Sequence, residues 1–150
     1  STRPDSSWLA TIARIEVKVI RTEHSPYYEK DTLTGETINR HRNVEHLEYI
    51  FSLGGFSVYH SGDANMNNVL RYQSYGFDKY HIDVALVHVW DALEIPSFRQ
   101  TLIRDIIRPD RIILMHLSPG RVPVDNPVWQ AKVARQVIAP KRPLEKWTFR

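Results

Sequence analysis

The chain contains no cysteine. Disulfide frameworks, thiolate zinc sites, iron–sulfur clusters and cysteine nucleophiles are therefore excluded together, and any metal must be held by histidine, aspartate or glutamate. Because domains of the cytoplasm and of the bacterial periplasm can both lack cysteine, this absence leaves both compartments open. Long apolar runs are missing as well: none approaches the ~18 to 20 residues that cross a bilayer. The opening stretch STRPDSSWLA has neither the basic start nor the apolar centre of a secretory signal. A soluble chain without a membrane anchor is the expectation. Also absent are a Gly-x-Ser-x-Gly elbow, a Walker-type loop and a Gly-x-Gly-x-x-Gly turn, so serine hydrolases, nucleotide phosphatases and dinucleotide oxidoreductases have no local support.

What is present is ordinary globular composition. Apolar residues make up 42% and charged residues 25% of 150 residues, which predicts one domain over 1–150 with a single core. The net charge of +3 is unevenly spread. Residues 120–150 carry seven Lys/Arg against two acids, leaving the first 119 residues slightly acidic. That basic tail reads first as a solvated surface; attraction of an anionic partner or nucleic acid is the weaker alternative.

Residues 12–22, IARIEVKVIRT, alternate β-branched and charged side chains with period two and predict a half-buried strand ending before Glu23-His24-Ser25-Pro26. From Pro26 to about Asn43 the chain is polar, with a Thr34-Gly35 turn signal, and reads as a surface excursion or hairpin. EHLEYIFSL and FSVYHS flank Gly54-Gly55 and predict a tight β-hairpin. Residues 65–77 suit a short helix, VALVHVW a strand buried on both faces, and Pro96 to Ile107 a helix with an apolar side. RIILMH is a further buried strand, Pro127 opens a last helix through about Val137, and EKWTFR ends the chain as a strand. Hairpins followed by strand–helix–strand units predict a layered α/β arrangement with a mixed sheet and flanking helices.

Three polar residues stand where apolar strands stop: His24 after the first strand, Asp63 in His60-Ser61-Gly62-Asp63, and His116 in Leu114-Met115-His116-Leu117-Ser118-Pro119. A rigid strand followed by a loop is a position from which a scaffold can aim a ligand. Two imidazoles and a carboxylate suit zinc, or manganese or iron, and leave coordination positions open.

With these motifs at this spacing, the stretch from His24 to Pro119 resembles the downstream half of the metallo-β-lactamase-fold hydrolases. The resemblance rests on a strand ending in His, a Gly-Gly hairpin leading to HSGDA, the strand IDVALVHVW, and RPDRIILMHLSP. It implies a partial αββα-layered α/β fold and a metal-dependent hydrolase acting on a small-molecule substrate. Asp63 would bridge one or two zinc (or manganese or iron) ions at the catalytic centre, with His24 and His116 completing their coordination. A metal-bound hydroxide would attack an ester, amide or phosphodiester.

The sequence departs from that family in one respect. The family's upstream His-x-His-x-Asp-His motif is absent, since no two histidines here are two residues apart. The chain therefore resembles about one half of such a fold. Three readings stay open: a truncated or nicked product, one chain of a complementing pair, or a domain that no longer assembles the dinuclear site. A non-catalytic half-fold that dimerises or joins an upstream half, and a nucleic-acid-processing relative, are the alternative functions.

Among the other histidines, His46 lies near the hairpin and competes with His24 as the ligand. His60 falls on the opposite strand face from Asp63 by alternation and reads as packing or support. His81 falls outside the site, and His88 reads first as a core histidine that shares a strand face with Trp90. His41 and His46 are five apart, which does not place two rings on one helical face, so a zinc helix is rejected.

Overall fold

The structure, a computed structural model, describes residues 6–88, 101–117, 136–140, 146 and 148. Seven of its strands form one mixed sheet: β1 (Ser6–Ile12), β2 (Ile15–Glu23), β5 (Glu45–Leu53), β6 (Phe56–His60), β7 (Val84–His88), β8 (Arg111–Met115) and β9 (Gln136–Ile138). They lie side by side in that order. The pairs from β1 to β6 are antiparallel and those from β6 to β9 are parallel. β3 (Tyr28–Lys30) and β4 (Thr37–Asn39) form a separate two-stranded hairpin, as the polar segment after Pro26 predicts.

One face of the sheet builds the core. Ile50 stands opposite Tyr59, Tyr59 opposite Ala85, Ala85 opposite Ile112 and Ile112 opposite Val137, which sets a continuous apolar row across five strands. Onto this row pack Tyr72 of the short helix α1 (Val69–Ser74), Phe77 of a 3-10 turn (Phe77–Lys79), and Leu102, Ile103 and Ile107 of a π-helical segment (Leu102–Ile107). The three helical pieces thus cover the face that the sheet leaves apolar.

One carboxyl group is buried in that layer. Glu48 is 0% exposed, on the same face as Ile50, and accepts hydrogen bonds from the hydroxyls of Tyr59 and, at 2.7 Å, Tyr72. Carboxylate burial is costly without such donors, so the two tyrosines couple α1 to β5 and β6 through a polar contact inside an apolar cluster.

Three expectations change. The strand expected over 12–22 begins at Ile15 as β2 and is preceded by a strand that was not expected, β1. The two turn back on each other at Ala13 and Arg14, both in the left-handed region (φ 48° and 70°). No Asn-Gly or Gly-Gly marks that turn, whereas Gly54-Gly55 (φ 59° and 84°) marks the β5–β6 turn as expected. The helix over 65–77 shortens to α1 and the 3-10 turn, because Gly76 (φ 71°) breaks the helical path. Val137, expected at the end of a helix, pairs with Ile112 in β9. Pro96, Phe98, Pro127 and most of EKWTFR lie outside the described residues, while Lys146 and Thr148 are described and belong to no strand. Among the described residues no helix is long and apolar enough to cross a membrane.

The buried Glu48 contact gives a direct test. Tyr72→Phe keeps the ring and removes one donor from a buried carboxylate, so unfolding stability in urea is expected to fall by about 1–3 kcal/mol. An unchanged midpoint would show that Glu48 does not depend on that hydroxyl.

Candidate metal centre

The parallel strands β6, β7 and β8 run in one direction, so their C-terminal ends share one edge of the sheet, which is where open α/β sheets place ligands. Asp63 follows β6, His88 ends β7 and His116 follows β8. β2 runs the same way two strands over, and the backbone of His24, just past its end, bridges to Ala64 beside Asp63. The topology therefore brings four strand ends to one place.

The Asp63 carboxylate is the centre of the group. Oδ1 lies 2.9 Å from His116 Nε2 and 3.6 Å from His88 Nε2, and Oδ2 lies 3.6 Å from His24 Nε2. The donor atoms of Asp63, His88 and His116 all lie within 4.8 Å of one another. The His88 and His116 rings are stacked with centroids 4.4 Å apart. His116 reaches the site from a left-handed backbone (φ 56°), a conformation that non-glycine residues rarely hold and that clusters at functional sites.

His24 carries a further indication. Its Nδ1 is 2.8 Å from the Ser25 carbonyl oxygen, which can only accept, so Nδ1 donates the proton. In the neutral ring Nε2 then turns a lone pair toward Asp63 Oδ2. Two lone pairs facing each other across 3.6 Å call for positive charge between them, supplied by a second ring proton or by a cation. The set of two or three imidazoles and one carboxylate suits a borderline divalent metal such as zinc. The residues present fit such an ion.

The expected residues fall out as follows. Asp63, His24 and His116 are brought together. His46 is not directed at Asp63 through Nε2, because that atom donates to the Ser61 carbonyl at 2.8 Å. Burial lowers the His46 pKa from its ordinary value, which favours the neutral ring. His60 Nδ1 accepts from the Gly62 amide at 3.0 Å, a supporting contact within the turn. His41 lies beside His24, with ring centroids 4.2 Å apart, and its Nδ1 shares the Ser25 carbonyl at 2.9 Å.

His88, read first as a core histidine, is buried and also joins the group at Asp63. The signal that could have found it is the one that marked the others: it is the last residue of a parallel strand whose neighbours end in Asp63 and His116. Trp90 lies outside the described residues.

An open groove of about 500 Å³ is lined by Glu23, Asn65, Asn67, Asn68, Val69, Leu70 and Arg71, and by none of His24, Asp63, His88 and His116. Its lining mixes carboxamides and the Arg71–Glu23 ion pair (3.2 Å) with the apolar Val69 and Leu70.

His81, Asp83 and Asp110 form a second group of metal-capable residues, with His81 Nε2 at 3.5 Å from an oxygen of each aspartate. It sits at the opposite edge, where β7 and β8 begin.

No protein-family model matches the sequence, and no curated protein matches it. Among solved structures, the chain is similar to a Thermotoga maritima protein described as a candidate Zn-dependent hydrolase of the metallo-β-lactamase superfamily. That similarity has 21% identity and a TM-score of 0.48, and it covers 79% of this chain and 50% of the other, so this chain spans half the length of that one.

Proposed function

We propose that Asp63, His88 and His116, with His24 on the other carboxylate oxygen, hold a divalent metal ion, zinc before manganese or iron, in a hydrolytic centre of metallo-β-lactamase type. The observation that carries this reading is the convergence of donors from four strand ends on one carboxylate. When bound, the ion would bring a coordinated water toward neutral pKa and polarise an ester, amide or phosphodiester.

The chain's own residues supply the rest. Asp63 contributes negative charge and two separate ligand oxygens. The Ser25 carbonyl fixes the His24 tautomer so that Nε2 is free to ligate, the usual role of an outer hydrogen bond at a metal-bound imidazole. His88, 3% exposed at the end of the interior strand β7, keeps water from one side.

Metal-depleted protein is expected to take up zinc, read by atomic emission after dialysis. Asp63→Ala and His116→Ala should reduce uptake to background. His88→Ala should weaken zinc affinity by at least about 10-fold, the effect that even outer-shell partners have. Zinc-dependent cleavage of p-nitrophenyl esters or bis-p-nitrophenyl phosphate should disappear in Asp63→Ala. Wild-type zinc content in all three variants would overturn the ligand assignment.

A second reading, association of a half-fold with itself or a complementing chain, is favoured by one observation. Among the described residues β1 pairs only with β2, and it exposes Trp8, Leu9 and Ile12. An apolar edge strand is a template for pairing with another chain. On this reading light scattering should give a dimer mass, and Leu9→Lys should return it to the monomer. A monomer at high micromolar concentration would count against self-association.

A further inference from the structure

His46 was a rival ligand on sequence, yet its ring is engaged elsewhere. Residues 61–64 form a β-turn closed by the Ala64 amide donating to the Ser61 carbonyl at 3.3 Å, with Gly62 in the left-handed region (φ 52°). The same carbonyl accepts from His46 Nε2 at 2.8 Å. The ring also lies flush against Gly62: a Cβ on that residue would stand 2.6 Å from His46 Cε1 and 2.9 Å from Nε2. Gly62 is thus required twice, by its backbone conformation and by the ring that occupies the place of a side chain.

We propose that His46 is a positioning residue for Asp63, holding the Ser61–Gly62 peptide so that the following carboxylate faces His24, His88 and His116. This rests on the reading of Asp63 as a metal ligand.

The other anchors of the turn show what His46 adds. The Ser61 amide donates to the Leu86 carbonyl (3.0 Å), fixing the turn's entry to β7, and the Asp63 carbonyl accepts from the Ser25 amide (2.7 Å), fixing its exit beside β2. Between entry and exit, the Ser61–Gly62 peptide is held at its oxygen by the Ala64 amide (3.3 Å) and, at the shorter distance of 2.8 Å, by His46, and at its amide hydrogen by His60. His46 is suited to this because it is the second residue of β5, the strand between β2 and β6, and stands opposite Thr22, which precedes His24 by two residues. A carbonyl can only accept, so the proton is on Nε2 and that nitrogen has no lone pair for a metal. Burial, which favours the neutral ring, agrees with this geometry.

The test uses full-length protein and zinc ion. In competition with a chromophoric chelator, His46→Ala should bind zinc about 10-fold more weakly. His46→Gln, whose amide can again donate to the Ser61 carbonyl, should recover to within about threefold. Gly62→Ala should also weaken binding, and adding His46→Ala to it should improve on Gly62→Ala alone, because removing the ring makes room for the new Cβ. Wild-type affinity in His46→Ala, or additive losses in the double variant, would overturn the proposal.

Two nuclear magnetic resonance measurements on metal-free protein separate it from the metal reading. The His46 imidazole should be the Nε2–H tautomer before and after zinc is added, and the Asp63 carboxylate carbon should shift in His46→Ala and return in His46→Gln. A zinc-coordinated His46 Nε2, or an Asp63 signal indifferent to His46, overturns the positioning role. Equal zinc binding by wild type and Asp63→Ala overturns the ligand assignment instead.

Discussion

The architecture of the site depends on one constraint: the Asp63 carboxylate offers two oxygens from a residue placed by the left-handed Gly62 before it (φ 52°). Oδ1 faces His88 and His116, and Oδ2 faces His24. A carboxylate only accepts hydrogen bonds, so His88 and His116 can face it as neutral Nε2–H donors. An imidazole whose proton is on Nδ1 instead faces it with a lone pair, unless a second ring proton or a cation lies between them. His24 is such an imidazole, since its Nδ1 proton is committed to the Ser25 carbonyl. Parallel strands β6, β7 and β8 make the arrangement possible by delivering their ends to the same edge.

The hairpins and the parallel strands were legible in sequence where local chemistry agrees with the fold. Gly54-Gly55 supplies two positive φ angles at a two-residue turn, and the apolar runs VALVH and RIILM match β7 and β8. The β1–β2 turn was hidden because Ala13 and Arg14 hold the same kind of conformation without the residues that favour it. The pairing of seven residues on each side of that turn outweighs the local cost. Tertiary packing also shortens α1, whose Leu70 is exposed while Tyr72 is buried against Glu48 and Phe77.

For the candidate site, the legible part was strand-end position and the hidden part was direction. Asp63 and His116 are each followed or preceded by turn residues, which marks them as loop-facing. His88 sits among valines, a context that describes a buried strand and says nothing about which end of the sheet its last residue meets. Discriminating His24 from His46 was beyond sequence for a related reason. Both lie at the same edge on neighbouring strands, and only the hydrogen bond from His46 to Ser61, against the Ser25 bond at His24 Nδ1, decides which Nε2 is left facing Asp63.

The same residue types at the opposite edge of the sheet show why composition alone does not make a site. His81, Asp83 and Asp110 have donor atoms as close together as those around Asp63. Yet Asp83 Oδ2 accepts from the Ser57 amide at 2.8 Å, its backbone ties to Ser57 and Arg111, and the Asp110 amide donates to the Ile82 carbonyl. The Asp83 carboxylate and the backbones of Asp83 and Asp110 secure the starts of β6, β7 and β8, and the His81 side chain is 70% exposed, so water can satisfy it. At the other edge the exposures are mixed: the His88 and His24 side chains are 4% and 18% exposed, those of Asp63 and His116 30% and 52%. What sets the Asp63 group apart is that both carboxylate oxygens face imidazole nitrogens from three other strand ends, whereas Asp83 Oδ2 is already engaged by a backbone amide.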